Sequence, residues 1–248
     1  MKPKVAFFDF TCCEGCQLQI ADLEEDIIGL VNLVDVVEFR EVITGKAPRY
    51  DIAFIEGSIS RPEDEERVKE IRGRSALLVA FGACATTGGV NKLKNLRGAM
   101  DSVKKEVYGE NWAMPHLETY ATKAVDEVVK VDLKIHGCPI TRSEFLKIVK
   151  ALVFGTKPEI PDFPVCVECK MKGNECMFDK GHTCIGPITR AGCGAICPSN
   201  NSSCEGCRGA VTDPNKNAMH EVLEKYGMSL DAIKRDFTIF SIDPEVGQ

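Results

Sequence analysis

Apolar residues fall along the first 155 positions in two alternating rhythms. Lys4–Phe10 is a largely apolar run that stops at a cysteine-rich turn, and Cys16–Leu30 then sets Leu18, Ile20, Ala21, Ile27 and Ile28 at helical spacing. Val36–Val42 and Asp51–Glu56 read as a second and a third strand, the latter ending at Gly57. Arg61–Arg74 is charged and helical, opened by Ser60, Arg61, Pro62 and Glu63, a helix-start signature. Ser75–Gly82 and Val128–His136 supply a fourth and a fifth strand, and Arg142–Leu152 a following helix. Strands alternating with helices predict an α/β fold, a doubly wound parallel sheet covered on both faces.

The rhythm ends at Phe154–Pro164, where Gly155, Pro158, Pro161 and Pro164 mark a linker. We therefore expect two domains, 1–155 and 156–248, the second a small irregular cysteine-rich domain. Between Val165 and Val211 lie eight cysteines, several glycines and almost no apolar period. Such a segment buries too little surface to offset its chain entropy unaided, so something covalent is expected to hold it. The tail, Asn215–Arg235, returns to a helical pattern.

The net charge is −6 and no basic run interleaves with aromatics, so nucleic acid is not an expected partner. Apolar runs such as Ala76–Gly82 are far too short to span a bilayer, so no direct membrane insertion is expected. The sequence opens straight into a strand, without a leader, and reads as cytoplasmic. Thirteen cysteines change the picture, because thiols stay reduced in that compartment and then point to metal or redox chemistry.

Cys13 and Cys16 follow the first predicted strand, Cys84 the fourth and Cys138 the fifth. Each lies just past the carboxyl end of a parallel strand, the edge at which open α/β sheets bind ligands. Four thiolates converging there suit a 4Fe–4S cluster or a zinc ion. The nearby Gly15, Gly82, Gly88, Gly89 and Gly137 let backbone approach such a group. Cys13–Cys16 alone also fits a thioredoxin-like dithiol, but a dithiol needs no third and fourth partner. Cys12, adjoining Cys13, is expected to be a packed, unligated thiol.

The second constellation is Cys166, Cys169, Cys176 and Cys184, then Cys193, Cys197, Cys204 and Cys207, spaced C-x2-C-x6-C-x7-C and C-x3-C-x6-C-x2-C. Eight thiolates make two four-ligand sites. Spacing leaves the sharing open, with sequential grouping the simplest, and paired C-x-x-C motifs are also a zinc-ribbon signal. His182, beside the first of these sets, is expected to be a surface residue.

Several stretches carry a family resemblance: Phe10-Thr11-Cys12-Cys13-Glu14-Gly15-Cys16-Gln17, Ile55-Glu56-Gly57-Ser58, Gly82-Ala83-Cys84-Ala85 and Gly137-Cys138-Pro139. Pro164-Val165-Cys166-Val167-Glu168-Cys169, the run from Cys184 through Ile185-Gly186-Pro187 to Cys193, and Cys204-Glu205-Gly206-Cys207-Arg208-Gly209 extend it over nearly the whole chain. Together they resemble the small, electron-transfer subunits of nickel–iron hydrogenases, within the NADH:ubiquinone oxidoreductase 20 kDa-like family. The cytoplasmic group is most similar, such as the delta subunit of archaeal sulfhydrogenases and its counterpart in methanogen viologen-reducing hydrogenases. The resemblance implies a flavodoxin-like domain with a proximal cluster on Cys13, Cys16, Cys84 and Cys138. It implies a distal cluster on Cys166, Cys169, Cys176 and Cys184, and a medial cluster on Cys193, Cys197, Cys204 and Cys207, three 4Fe–4S clusters in all.

Two departures from the uptake-type relatives stand out. Those use histidine as first distal ligand, where this chain has Cys166, and a three-iron medial cluster lacking the cysteine that here is Cys197. Both changes are expected to lower reduction potential. The partners implied are a nickel–iron hydrogenase large subunit, which holds the catalytic site, and diaphorase-type flavin or ferredoxin-like iron–sulfur subunits. The loops around Glu14, Thr86 and Ile140 are expected to be buried against the large subunit. Two competitors are a complex I-like quinone reductase subunit, whose family lacks the eight-cysteine extension, and a zinc-stabilised binding module.

Overall fold

The computed structural model describes residues 2–110, 118–240 and 242. The chain forms two compact units, Met1–Lys157 and Pro158–Gln248.

The first unit is built on five strands: β1 (Lys4–Asp9), β2 (Asp35–Phe39), β3 (Tyr50–Glu56), β4 (Ser75–Phe81) and β5 (Leu133–Ile135). They lie in the order β2-β1-β3-β4-β5, every neighbouring pair parallel. This is the flavodoxin-like order, whose switch point falls beside β1 and β3. The central strands are apolar on both faces because helices cover both. On one face Phe7 stacks on Phe54 at 4.9 Å between ring centroids, with Phe39, Phe81 and Phe145 closing around them. Phe145 comes from α6 (Arg142–Val153). On the other face Ala6, Phe8, Ala53, Ile55 and Leu78 pack with Val68 and Ile71 of α3 (Pro62–Arg74).

The expected helix at Cys16–Leu30 is two helices, α1 (Gly15–Ala21) and α2 (Asp26–Leu33). Asp22, Glu24, Glu25 and Asp26 make the break, with Glu24 at φ +53°. Carboxylates oppose the negative C-terminal end of one helix and favour the positive N-terminal end of the next. β2 ends at Phe39 rather than Val42, as the N–H groups of Val42 and Ile43 turn back onto the Phe39 carbonyl. The expected strand at Val128–His136 shrinks to β5: the N–H groups of Val128 and Val129 bond to Val125, leaving the sheet no ladder there. Beyond β4 come α4 (Ala83–Thr87), a 3-10 helix (Gly89–Arg97) and α5 (Met100–Tyr108), all three unread in the sequence.

The second unit carries α7 (Val165–Met171), α8 (Ile196–Ser199), α9 (Lys216–Lys225) and α10 (Leu230–Ile239). The tail is two helices rather than one, Gly227 supplying the left-handed turn at φ +64°. The cysteine-rich segment buries more than its lack of period suggests. Met177, Phe178, Ile185 and Ile188 pack with Met219 and Leu223 of α9 and Ile233 and Phe237 of α10. These apolar residues sit in irregular loops, where no period marks them. No helix among the described residues is long and apolar enough to cross a membrane.

Phe54 is fully buried among three aromatic rings, those of Phe7, Phe81 and Phe145. Phe54→Ala should cost about 3–5 kcal/mol, the usual loss for emptying such a site. Denaturant unfolding followed by circular dichroism measures it.

Candidate functional site

Four strand ends meet at one corner of the first unit. Cys13 and Cys16 sit in the turn into α1, Glu56 ends β3, Cys84 opens α4 and Cys138 follows β5. All five line a single cavity of about 200 Å³ together with Gly82, Gly137 and Pro139. The four thiols expected beside one another are together here, while Cys12 does not line the cavity.

The turn is held from across the sheet. Glu14 has φ +62° and its side chain caps nothing, so the first N–H groups of α1 need another acceptor. The buried Glu56 carboxylate supplies it, accepting from Cys16 N–H on Oε1 and from Gln17 N–H on Oε2, both at 3.0 Å. Glu56 entered the sequence reading only as part of the resembling stretch Ile55-Glu56-Gly57-Ser58, with no role assigned to it. On the far wall, Ala83 N–H bonds to the Gly137 carbonyl at 2.7 Å, tying the Cys84 loop to the Cys138 loop. Gly82 is required there twice over. Its φ is +84°, and a Cβ on it would stand 2.5 Å from Cys16 Sγ.

Burial sets the electrostatics of Cys12, Cys16, Cys84 and Cys138. Burial pushes the Cys84 thiol up to about 12, with Cys138 and Cys13 adding to it. Burial and then Glu56 raise Cys16 further, and burial also raises Cys138. Cys12 is likewise held at about 12, by burial first and Glu56 second. Burial also lifts Glu56 above the usual carboxylate range, against the N–H groups of Cys16 and Gln17, which act in the opposite sense.

The expected contact surface needs correction. Thr86 and Ile140 are buried within the chain itself, at 4% and 2% exposure, and Thr86 Oγ1 donates to the Gly82 carbonyl. The exposed rim of the cavity is Cys13, Leu18, Cys138 and Pro139.

In the second unit Cys166, Cys169, Cys176 and Cys184 line one cavity of about 530 Å³. Burial raises Cys166 to about 12, and the charges of Cys184, Cys169 and Cys176 act in the same direction. Gly186 lies against two of these thiols: a Cβ on it would meet Cys184 Sγ at 3.4 Å and Cys166 Sγ at 3.5 Å. Among the remaining four, burial and then the charge of Cys193 raise the Cys197 thiol, and burial, then Cys184 and, more weakly, Cys207 raise Cys204. Cys204 also touches the first set, its N–H donating to Cys184 Sγ at 3.3 Å. Glu168 in α7 repeats the Glu56 device, accepting from Gly192 N–H at 3.0 Å and Ala195 N–H at 3.2 Å. His182 is exposed. Among the described residues no three His, Cys, Asp or Glu side chains gather closely enough to hold a single metal ion.

Fold and site define an α/β protein of the doubly wound type with a thiol-lined ligand site at its strand ends. Residues 13–152 match the family model described as NADH ubiquinone oxidoreductase, 20 Kd subunit, and the chain belongs to that family. It is 34% identical over 227 residues to the sulfhydrogenase 2 subunit delta of Pyrococcus furiosus, covering 90% of this chain and 92% of that one. It is 32% identical to a subunit of the F420-non-reducing hydrogenase vhu of Methanococcus voltae, covering 86% of this chain and 84% of that one. Among solved structures it resembles a chain of an NAD+-reducing [NiFe]-hydrogenase, with a TM-score of 0.59 and 25% identity, over 65% of this chain and 96% of that one. A chain of the Ni-Fe-Se hydrogenase from Desulfomicrobium baculatum shares the fold at 15% identity, with a TM-score of 0.52, over 84% and 94%.

Glu56 yields a pH-dependence. A carboxyl whose folded pKa lies above its unfolded value adds stability at low pH and loses it as pH rises through the folded pKa. Glu56→Gln carries no charge at any pH and lacks this loss. Denaturant unfolding of the metal-free chain should show the stability difference moving in favour of Glu56→Gln from acid to neutral pH. A difference that stays constant would contradict the raised pKa of Glu56.

Proposed function

We propose that this chain is the electron-transfer small subunit of a cytoplasmic nickel–iron hydrogenase. It relays electrons between a large subunit that holds the nickel–iron site and a diaphorase-type or ferredoxin-like partner. The carrying observation is the cavity of about 200 Å³ ringed by Cys13, Cys16, Cys84 and Cys138. Zinc needs four sulfurs about 2.3 Å from one point, whereas a cubane is a body that four sulfurs surround. The thiols here stand round a volume, and three separate strand-end loops bring them to it. The names of the relatives, both of them hydrogenase subunits, support the same assignment.

On this proposal Cys13, Cys16, Cys84 and Cys138 hold one 4Fe–4S cluster. Cys166, Cys169, Cys176 and Cys184 hold a second, their shared cavity supporting that grouping. Cys193, Cys197, Cys204 and Cys207 hold a third. Bound 4Fe–4S clusters supply reversible one-electron storage. The chain's own residues set the conditions for it. Thiols raised by burial must give up their protons on loading, so mildly alkaline conditions favour uptake of iron and sulfide. Glu56 and Glu168 fix the cysteine-bearing turns by their backbone N–H groups before any ligand arrives.

Three cubanes require about 12 iron and about 12 labile sulfide per chain. Anaerobic purification with iron, sulfide and zinc analysis measures this. Stoichiometric zinc with little iron would remove the assignment.

The rim of Cys13, Leu18, Cys138 and Pro139 should be covered in the assembled enzyme, since electrons enter where the first thiol set opens to solvent. Hydrogen exchange of peptides spanning 13–20 and 137–143 should slow on assembly with the large subunit. Unchanged exchange there would place the contact elsewhere.

A further inference from the structure

Asn174 lies five residues beyond Cys169, past the end of α7, and its side chain lines the cavity of Cys166, Cys169, Cys176 and Cys184. Its Nδ2 stands 3.7 Å from Cys169 Sγ and 3.0 Å from Ser199 Oγ. An amide nitrogen carries two hydrogens, so both contacts are served at once. The group is held at both ends. Its backbone N–H donates to the Cys169 carbonyl at 3.2 Å. Ser199, which receives one of the side-chain hydrogens, donates its own hydroxyl to the Ala195 carbonyl at 2.9 Å. Ser199 ends α8, the helix that carries Cys197. One side-chain amide therefore spans from a thiol of one cysteine set to the helix bearing a thiol of the other.

We propose that Asn174 is a positioning residue that raises the reduction potential of the cluster held by Cys166, Cys169, Cys176 and Cys184, by donating a side-chain N–H to Cys169 Sγ. This deepens the function proposed above and rests on it. Hydrogen bonds to cluster sulfurs are among the factors that set potential. Reduction adds negative charge to the thiolate-bound group, and an N–H aimed at a sulfur stabilises that charge more in the reduced than in the oxidised state. The donor is neutral, so its effect does not depend on a titration. Ser199 aims it, so loosening Ser199 weakens the effect without touching any thiol.

The test is a redox titration of the anaerobically purified protein with its partner subunits, followed by electron paramagnetic resonance, with iron and sulfide counted in parallel. Asn174→Leu keeps the approximate size and removes the donor. The midpoint of one cluster should move to more negative potential while the other two and the iron content stay as in the wild type. Full iron with all midpoints unmoved would overturn the proposal. Should Asn174→Leu lose iron, Ser199→Ala decides: it leaves every thiol and the amide in place, and a smaller negative shift of one midpoint is expected. Unmoved midpoints in Ser199→Ala overturn the proposal. Wild-type protein without iron overturns the proposed function, and this inference with it, before any variant is compared.

Discussion

The Glu56 carboxylate, buried at the end of β3 and bound to two N–H groups of the neighbouring turn, is the contact on which the thiol corner rests. Without it the start of α1 has no acceptor, because Glu14 is left-handed and its side chain caps nothing. Each buried N–H left unmet costs about 1–3 kcal/mol. The bond also fixes where Cys16 lies, and Cys16 Sγ then occupies the space that a side chain at position 82 would need. Gly82 in turn lets the Cys84 loop bond to Gly137 beside Cys138. One carboxylate thus sets off a chain of steric and hydrogen-bond constraints running through three of the four thiols.

The two units build thiol sites by different physical means. In the first, each cysteine hangs from the end of a strand or the start of a helix, and the sheet's register fixes the spacing between them. Sites placed on such elements are held more closely than sites on loops. In the second, most of the cysteines lie in irregular backbone, wrapped on a modest apolar core that α9 and α10 close. Glu168 is the counterpart of Glu56 there, since it ties α7 to the turn that carries Cys193. The second unit therefore leans more on side-chain-to-backbone bonds, such as those of Glu168 and Asn174, and on whatever its thiols bind.

What the sequence disclosed follows from locality. Alternation of apolar strands with helices marked out the sheet, and cysteines just past three strand ends lay where a parallel sheet presents its ligands. The break between α1 and α2 needed weighing of helix-end charge rather than of apolar spacing. β5 proved short because two N–H groups fold back on Val125, a choice that strand propensity does not record. The roles of Glu56 and Asn174 went unread for another reason. Glu56 meets partners about 40 residues earlier, and Asn174 meets Ser199 25 residues later, and neither pairing leaves a periodic trace. Thr86 and Ile140 were misjudged as surface because loop position was taken for exposure, whereas both pack inward.

Charge completes the picture at the thiol corner. Burial first and Glu56 after it hold the thiols of Cys16 and Cys84 above the ordinary range. A high pKa therefore does not separate a ligand from a bystander here: Cys12 and Cys84 are both held at about 12. Position separates them. Cys84 lines the cavity and Cys12 does not.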